Sequence, residues 1–296
     1  MIARTVEWQV AGACNYACSY CIQSPRRRVG RPSRETVDGL LRFLASLPGR
    51  WEVKASGGEP FAFPLFLRRV VPGLVSETPH VVSVLTNLSA SEEELSLFAS
   101  LTRGRLGIVS ASLHLEFTTA AAFVRKAVRL REEIGPGASL VVNAVLVPGR
   151  LGELLEARRV IEGAGLRLFP QVMKVKGGVH DYSPEDRTLL PLLLGGGGDP
   201  RRENRAPSYR GRLCLAGVDY LVLAQDGDAW SCRSAKRHGE GFLGNALDGG
   251  VRLASGPRPC SYSICPCTVP ANRGMVEGVG AAARAGRRPD AGEAAT

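Results

Sequence analysis

The chain has 296 residues, enough for one large domain or two smaller ones, and 44% of them are apolar, so a sizeable core can be buried and global disorder is excluded. It carries 38 basic and 28 acidic residues, a formal charge of +10; Lys54, Lys126, Lys174, Lys176 and Lys236 are the lysines and every other basic residue is arginine. No apolar run approaches the roughly 18 residues of a membrane span, and "MIARTVEWQV" lacks the apolar stretch of a secretory signal, so a cytoplasmic, reducing location is expected.

The elements alternate from the start. "TVEWQVAG" reads as the first strand, and "ACNYACSYCIQS" (13–24) follows it with Cys14, Cys18 and Cys21. "SRETVDGLLRFLASL" (33–47) predicts a helix, with Ser33 as its N-cap. Next come a strand at "WEVKAS" (51–56), a helix at "FPLFLRRVVPGL" cut short by Pro72, and a strand at "HVVSVLTN" (80–87). "SEEELSLFASL" (91–101) opens with a serine cap and acids in its first turn. A strand at "LGIVSASLHLEF" (106–117) precedes a helix that ends at Gly135, then a strand at "ASLVVNAVLV" (138–147). The helix "RLGELLEARRVIEGAG" and the strand "LRLFPQVM" (166–173) complete the run.

Strands alternating with helices in this way imply an α/β fold, a parallel sheet with right-handed crossovers and chemistry at the strands' carboxyl ends. The rhythm then breaks. We divide the chain into a core (1–183), a bridging region (184–211) with a helix at 184–194 and a "GGGG" run, a cysteine-rich segment (212–270) and a Gly-, Ala- and Arg-rich tail (271–296) expected to be disordered. The charge fits solvated arginines first, since no long basic run appears, and an anionic partner second; "PRRRVGRPSR" (25–34) would rim a site beside the cysteines. No basic–aromatic interleaving suggests a nucleic-acid groove.

The chain has eight cysteines, which in a reducing compartment serve better as metal ligands or catalytic groups than as disulfides. Cys14-x3-Cys18-x2-Cys21 has no fourth ligand beside it, as a zinc site would want. A 4Fe–4S cubane can take three thiolates and leave one iron open. The spacing, with Tyr20 before Cys21, resembles the radical S-adenosylmethionine (radical SAM) superfamily signature C-x3-C-x-aromatic-C. "ASGGEP" (55–60), one strand later, is similar to that family's GGEP motif, which binds the methionyl amino group of S-adenosyl-L-methionine (SAM). Gly57 and Gly58 permit close backbone approach, and Glu59 or nearby carbonyls can accept from an ammonium; Pro60 completes the motif. Thr86 and Asn87, Ser112, Asn143 and Gln171 match cofactor-proximal strand-end positions more loosely, with ordinary structural roles as the alternative.

"CLAGVDYLVLAQDGDAWSC" runs from Cys214 to Cys232 as C-x12-G-x4-C, two strands joined by a turn at Gly227. This resembles the opening of the twitch and SPASM auxiliary domains, and "FLGNAL" (242–247) is similar to the segment that follows there. Cys260, Cys265 and Cys267 come next; a full SPASM set would need more cysteines, so the resemblance implies a twitch domain with one auxiliary 4Fe–4S cluster. Which of the last three is spare stays open, and four thiolates would also suit zinc.

The resemblance therefore implies a partial (β/α)6 TIM-like barrel with a small C-terminal domain containing a β-hairpin, SAM, a catalytic cluster on Cys14, Cys18 and Cys21, and a reducing partner such as flavodoxin or ferredoxin. The activity implied is hydrogen abstraction, as an oxidoreductase, in the oxidation or epimerisation of a small molecule such as a sugar or cyclitol. A peptide-modifying maturase and a non-catalytic iron–sulfur electron carrier are the alternatives. His114, Asp181 and Tyr182 are candidate polar groups for catalysis, with satisfied structural roles as the rival reading.

Overall fold

Apolar β-branched runs and capped amphipathic helices alternate in the computed structural model much as their periods dictate; it describes residues 4–23, 29–175 and 178–279. The elements in order are β1 (Thr5–Ala11), α1 (Arg34–Ser46), β2 (Glu52–Gly57), α2 (Val71–Glu77), β3 (Val81–Thr86), α3 (Glu92–Leu101), β4 (Leu106–Leu113), α4 (Ala120–Glu133), β5 (Ser139–Leu146), α5 (Leu151–Gly163) and β6 (Leu168–Val172). A short ribbon, β7 (Lys174–Val175) with β8 (Gly178–Val179), leads to α6 (Pro184–Leu194). The C-terminal part holds β9 (Leu213–Cys214), β10 (Tyr220–Leu223), β11 (Asp228–Trp230), α7 (Arg233–His238), β12 (Phe242–Asn245), β13 (Arg258–Pro259) and α8 (Val269–Asn272).

The strands β1 to β6 lie in chain order and all pair in parallel, so their carboxyl ends, and the loops that follow them, share one rim. Successive helices pack side by side on the outside. Leu40, Leu41 and Leu44 of α1, Leu74 of α2, Phe98 of α3 and Leu130 of α4 are almost fully buried against Val53, Val82, Val84, Val109 and Val142 of the strands. Caps set the helix starts: Ser33 Oγ accepts from Thr36 N at 3.2 Å, and Ser91 with Glu94 forms a reciprocal capping box.

Pro72 does not stop its helix. A π-turn over Phe66–Val70 precedes it, and Pro72 falls in the first turn of α2, where a missing N–H removes no intrahelical bond.

Two further departures concern the ends of the chain. The β10–β11 hairpin is not a separate body: β10 pairs in parallel with β1, giving one nine-stranded sheet in the order β12-β11-β10-β1-β2-β3-β4-β5-β6. On the far side, Asn204 in the bridging region pairs along β6, donating to Pro170 O at 2.9 Å and accepting from Val172 N at 3.0 Å. The first part of the expected disordered tail is packed. Ala271, Met275, Val276 and Val279 are buried, the first, third and fourth with Tyr209 and Met275 with Tyr220 and Val222. The rest of the tail lies outside the described residues.

Candidate active site

The loop after β1 and the loop after β2 are clasped together. Gly58 N donates to Ala11 O at 2.9 Å and Glu59 N to Ala13 O at 3.0 Å, one residue before Cys14. This approach needs two glycines. Gly57 has φ +134°, and a Cβ there would lie 2.2 Å from Ala11 O; a Cβ on Gly58 would lie 1.9 Å from Ala13 O.

Glu59 is 1% exposed, and its carboxylate already accepts from Thr86 Oγ1 and Asn87 N at 2.7 Å each and from Phe61 N at 3.2 Å. It therefore bolts β2 to the end of β3. Burial pushes its pKa up to about 7 against the three donors. Asn87 Nδ2 in turn donates to Asn15 Oδ1 at 3.0 Å inside the cysteine loop. The other side of that loop is tied to β4's end: His114 Nδ1 lies 2.8 Å from Tyr20 Oη and 3.3 Å from Cys18 Sγ, and Glu116 accepts from Ser19 N at 2.9 Å. Burial holds His114 down, to about 4, with Glu116 opposing, so the imidazole is neutral near pH 7.

These groups surround one cavity of about 260 Å³ at the carboxyl rim. Cys14, Cys18, Cys21, Tyr20, Gly57, Gly58, Glu59, Thr86, Asn87, Ser112, His114, Asn143 and Gln171 all line it. Asn143 is 7% exposed, and its Nδ2 has no hydrogen-bond partner among the described residues, an orphan that a ligand acceptor would satisfy. Pro60 does not line the cavity; it starts the 3-10 turn that carries Glu59 as its cap.

Asp181 and Tyr182 are not site residues. Tyr182 is buried away from the cavity, donating to Leu146 O at 2.7 Å and accepting from Met173 N at 2.8 Å, while the exposed Asp181 pairs with Arg187. The β7–β8 ribbon reverses the chain after β6, and Tyr182 packs at the ends of β5 and β6 without lining the cavity.

Sequence reasoning missed Glu7, Lys54, Lys174, Asn204, Arg233 and Thr268, which also line the cavity. Charges within the otherwise apolar strands "TVEWQV" and "WEVKAS" were the available signal. Glu7 takes a bidentate contact from Arg233, at 2.7 and 2.5 Å, and a 2.6 Å bond from Tyr220 Oη. Burial alone would raise Glu7, but Arg233 wins and holds it down at about 2.

A second cavity, also about 260 Å³, is lined by Cys214, Cys232, Cys260, Cys265 and Cys267; Cys267, Pro266 and Arg233 border both. Local structure collects these thiols. The turn through Gly227 (φ +94°) closes the β10–β11 hairpin, β9 and β13 pair Cys214 with Arg258, and Cys232 caps α7 by accepting from Ala235 N at 3.3 Å. Burial, followed by neighbouring thiols, pushes Cys18 and Cys214 up to about 11 and Cys232 up to about 12. A hydrogen bond to Cys267, reinforced by burial, holds the Cys265 proton in place.

Cys18, Cys214 and Cys232 hold their protons unless a cation takes the protons' place, while the neighbouring Cys265 hydrogen bond holds Cys267 down, to about 7; thiols gathered in this way fit a metal centre. Among the described residues, no three His, Cys, Asp or Glu side chains gather tightly enough for a single ion. A cubane spreads its thiolates over separate irons and makes no such demand.

No protein-family model matches the chain, and no curated protein does. Solved structures do. Native anSMEcpe with bound AdoMet and Kp18Cys peptide superposes at TM-score 0.57, with 15% identity, over 82% of this chain and 78% of that one. Streptococcus suis SuiB bound to precursor peptide SuiA superposes at TM-score 0.61, also with 15% identity, over 84% of this chain; this chain spans 63% of SuiB. BtrN in complex with AdoMet and 2-DOIA reaches a TM-score of 0.49, with 14% identity over 84% of this chain and 80% of that one, too low to carry a comparison. No helix among the described residues is long and apolar enough to cross a membrane. With its parallel strands, its rim cavity and these neighbours, the chain has the fold of the radical SAM enzymes.

Proposed function

We propose that the chain is a radical SAM enzyme with a catalytic and an auxiliary 4Fe–4S cluster. One observation carries the reading: a single cavity gathers the three spaced cysteines, the Gly57–Glu59 loop and Asn143, whose Nδ2 has no hydrogen-bond partner among the described residues. Cys14, Cys18 and Cys21 would hold the catalytic cluster, and the Gly57–Gly58 backbone, Asn143 and Gln171 would hold SAM. When bound, the pair supplies one-electron cleavage of SAM to a 5′-deoxyadenosyl radical that abstracts hydrogen. The residues of this chain position and shield: Glu59 and Asn87 fix the cysteine loop, and His114 braces Cys18 and Tyr20 as a neutral partner.

Cys214 and Cys232, with two of Cys260, Cys265 and Cys267, would hold the auxiliary cluster. Its place against the main cavity, through Cys267, supports an oxidoreductase in which it takes the second electron from a substrate radical. Oxidation of a small molecule such as a sugar or cyclitol is the first reading. A peptide substrate is the second, favoured by the bound peptides of anSMEcpe and SuiB.

Anaerobically reconstituted protein is expected to bind about eight irons and, once reduced, to form 5′-deoxyadenosine; replacing Cys14, Cys18 and Cys21 with alanine should leave about four irons, one cubane, and no nucleoside. An iron count unchanged by that replacement would sink the assignment.

Cofactor binding should also depend on pH through Glu59. Burial pushes its carboxyl up to about 7, and a cation entering the cavity favours the ionised form. Binding then releases a proton, so affinity rises with pH up to about 7 and weakens by up to about tenfold per pH unit below it. Calorimetry in two buffers of different ionisation enthalpy measures the release. Glu59→Gln should abolish it; an unchanged proton count in that variant would place the titration elsewhere.

A further inference from the structure

Two lysines line the main cavity. Lys54 precedes Gly57 by three residues on β2, about 10 Å further into the barrel. Lys174 enters from β7, just past the end of β6. Neither ammonium has a hydrogen bond or ion pair among the described residues. The two carboxylates that line the cavity are already engaged: Glu7 by Arg233 and Tyr220, and Glu59 by Thr86, Asn87 and Phe61. Both lysines are half-buried, and burial pulls Lys174 down, to about 8, against Cys267 and Cys265. Glu7 lies within electrostatic reach of Lys54 but is already neutralised by Arg233, so the cavity keeps a net positive charge withdrawn from water, a cost that an anionic ligand offsets.

We propose that Lys54 and Lys174 form a subsite for an anionic group of the substrate, a carboxylate or a phosphate. This rests on the cavity being the place where cofactor and substrate meet. The competing role for Lys174 is as counter-charge to the thiolates of the second cysteine site; that role leaves Lys54 unexplained.

The test uses reconstituted, SAM-saturated protein. Inorganic phosphate and acetate are titrated by calorimetry into the wild type, Lys54→Gln, Lys174→Gln and the surface control Arg187→Gln. The dissociation constant of at least one anion should rise about tenfold or more in each lysine variant and stay level in Arg187→Gln. SAM affinity should hold within about twofold, and the reduction potentials of the iron centres should not move. Loss of acetate binding marks a carboxylate substrate, and loss of phosphate binding a phosphate ester. Equal anion affinity in all four proteins overturns the subsite. So does a shifted cluster potential in Lys174→Gln with anion affinity unchanged. A wild type that cleaves SAM but shows no lysine-dependent anion binding sinks this inference alone; one that does not cleave SAM sinks the reading beneath it as well.

Discussion

Gly58→Ala is expected to break the clasp between the β1 and β2 loops and with it the proposed SAM site. The added methyl would lie 1.9 Å from Ala13 O, 2.3 Å from Ala13 C and 2.6 Å from Gly12 O, all backbone atoms with no rotamer to turn aside. Relief requires moving the Ala13 carbonyl, which would break its bond from Glu59 N and drag Cys14 with it. The cost should be about 3 kcal/mol or more, and SAM affinity should fall at least about a hundredfold, roughly 2.7 kcal/mol. Gly135→Ala is the control: nothing lies within 4 Å of its Cβ position, and melting temperature and SAM binding should be unchanged. Wild-type melting and SAM affinity in Gly58→Ala would show that the two loops do not meet as described.

The same clasp explains what the sequence could reveal. The three cysteines and "SGGEP" are each continuous in the chain and end consecutive strands, so spacing plus strand order sufficed to bring them together. Thr86, Asn87, Ser112, Asn143 and Gln171, singled out through the family resemblance, line the same cavity. The pairing of Glu7 with Arg233 was not, because 226 residues separate them and no local period links a strand to a helix so distant. The junction of β10 with β1 was hidden likewise: "YLVLA" announces a strand but not its neighbour. Asp181 and Tyr182 follow β6 closely in sequence, yet neither lines the cavity: Tyr182 is spent on the Leu146 and Met173 backbone, and Asp181 on Arg187. Pro72 misled because the π-turn before it leaves no sequence mark that propensity would register.

Arg233→Met is expected to be the most destabilising substitution outside the glycines. The Arg233 side chain is 18% exposed and that of Glu7 4% exposed, and the pair joins α7 to the first strand of the barrel. Removing the guanidinium leaves Glu7 buried with Tyr220 Oη and the more distant Lys54, and breaking such a pair costs about 3–5 kcal/mol. The pH dependence should change sign. In the wild type the Glu7 carboxyl is held down from 4.5 to about 2, so its contribution is fully present above 4.5 and is lost only as pH falls through that window. Without Arg233, burial dominates and raises the carboxyl, so the variant should lose stability as pH rises from about 5 to 8, where the wild type is flat in this group. Arg233→Lys should fall between the two, keeping the charge but not the two-pronged bond. Adding Glu7→Gln to Arg233→Met should recover part of the loss, because the stranded charge is gone; the double-mutant cycle isolates the pair from the packing of either side chain. Melting curves on reconstituted protein of equal iron content, at pH 5 and pH 8, measure the wild type, both Arg233 variants, Glu7→Gln alone and the double variant. A strictly additive cycle with no change in pH slope would mean that α7 is held to the barrel by packing alone.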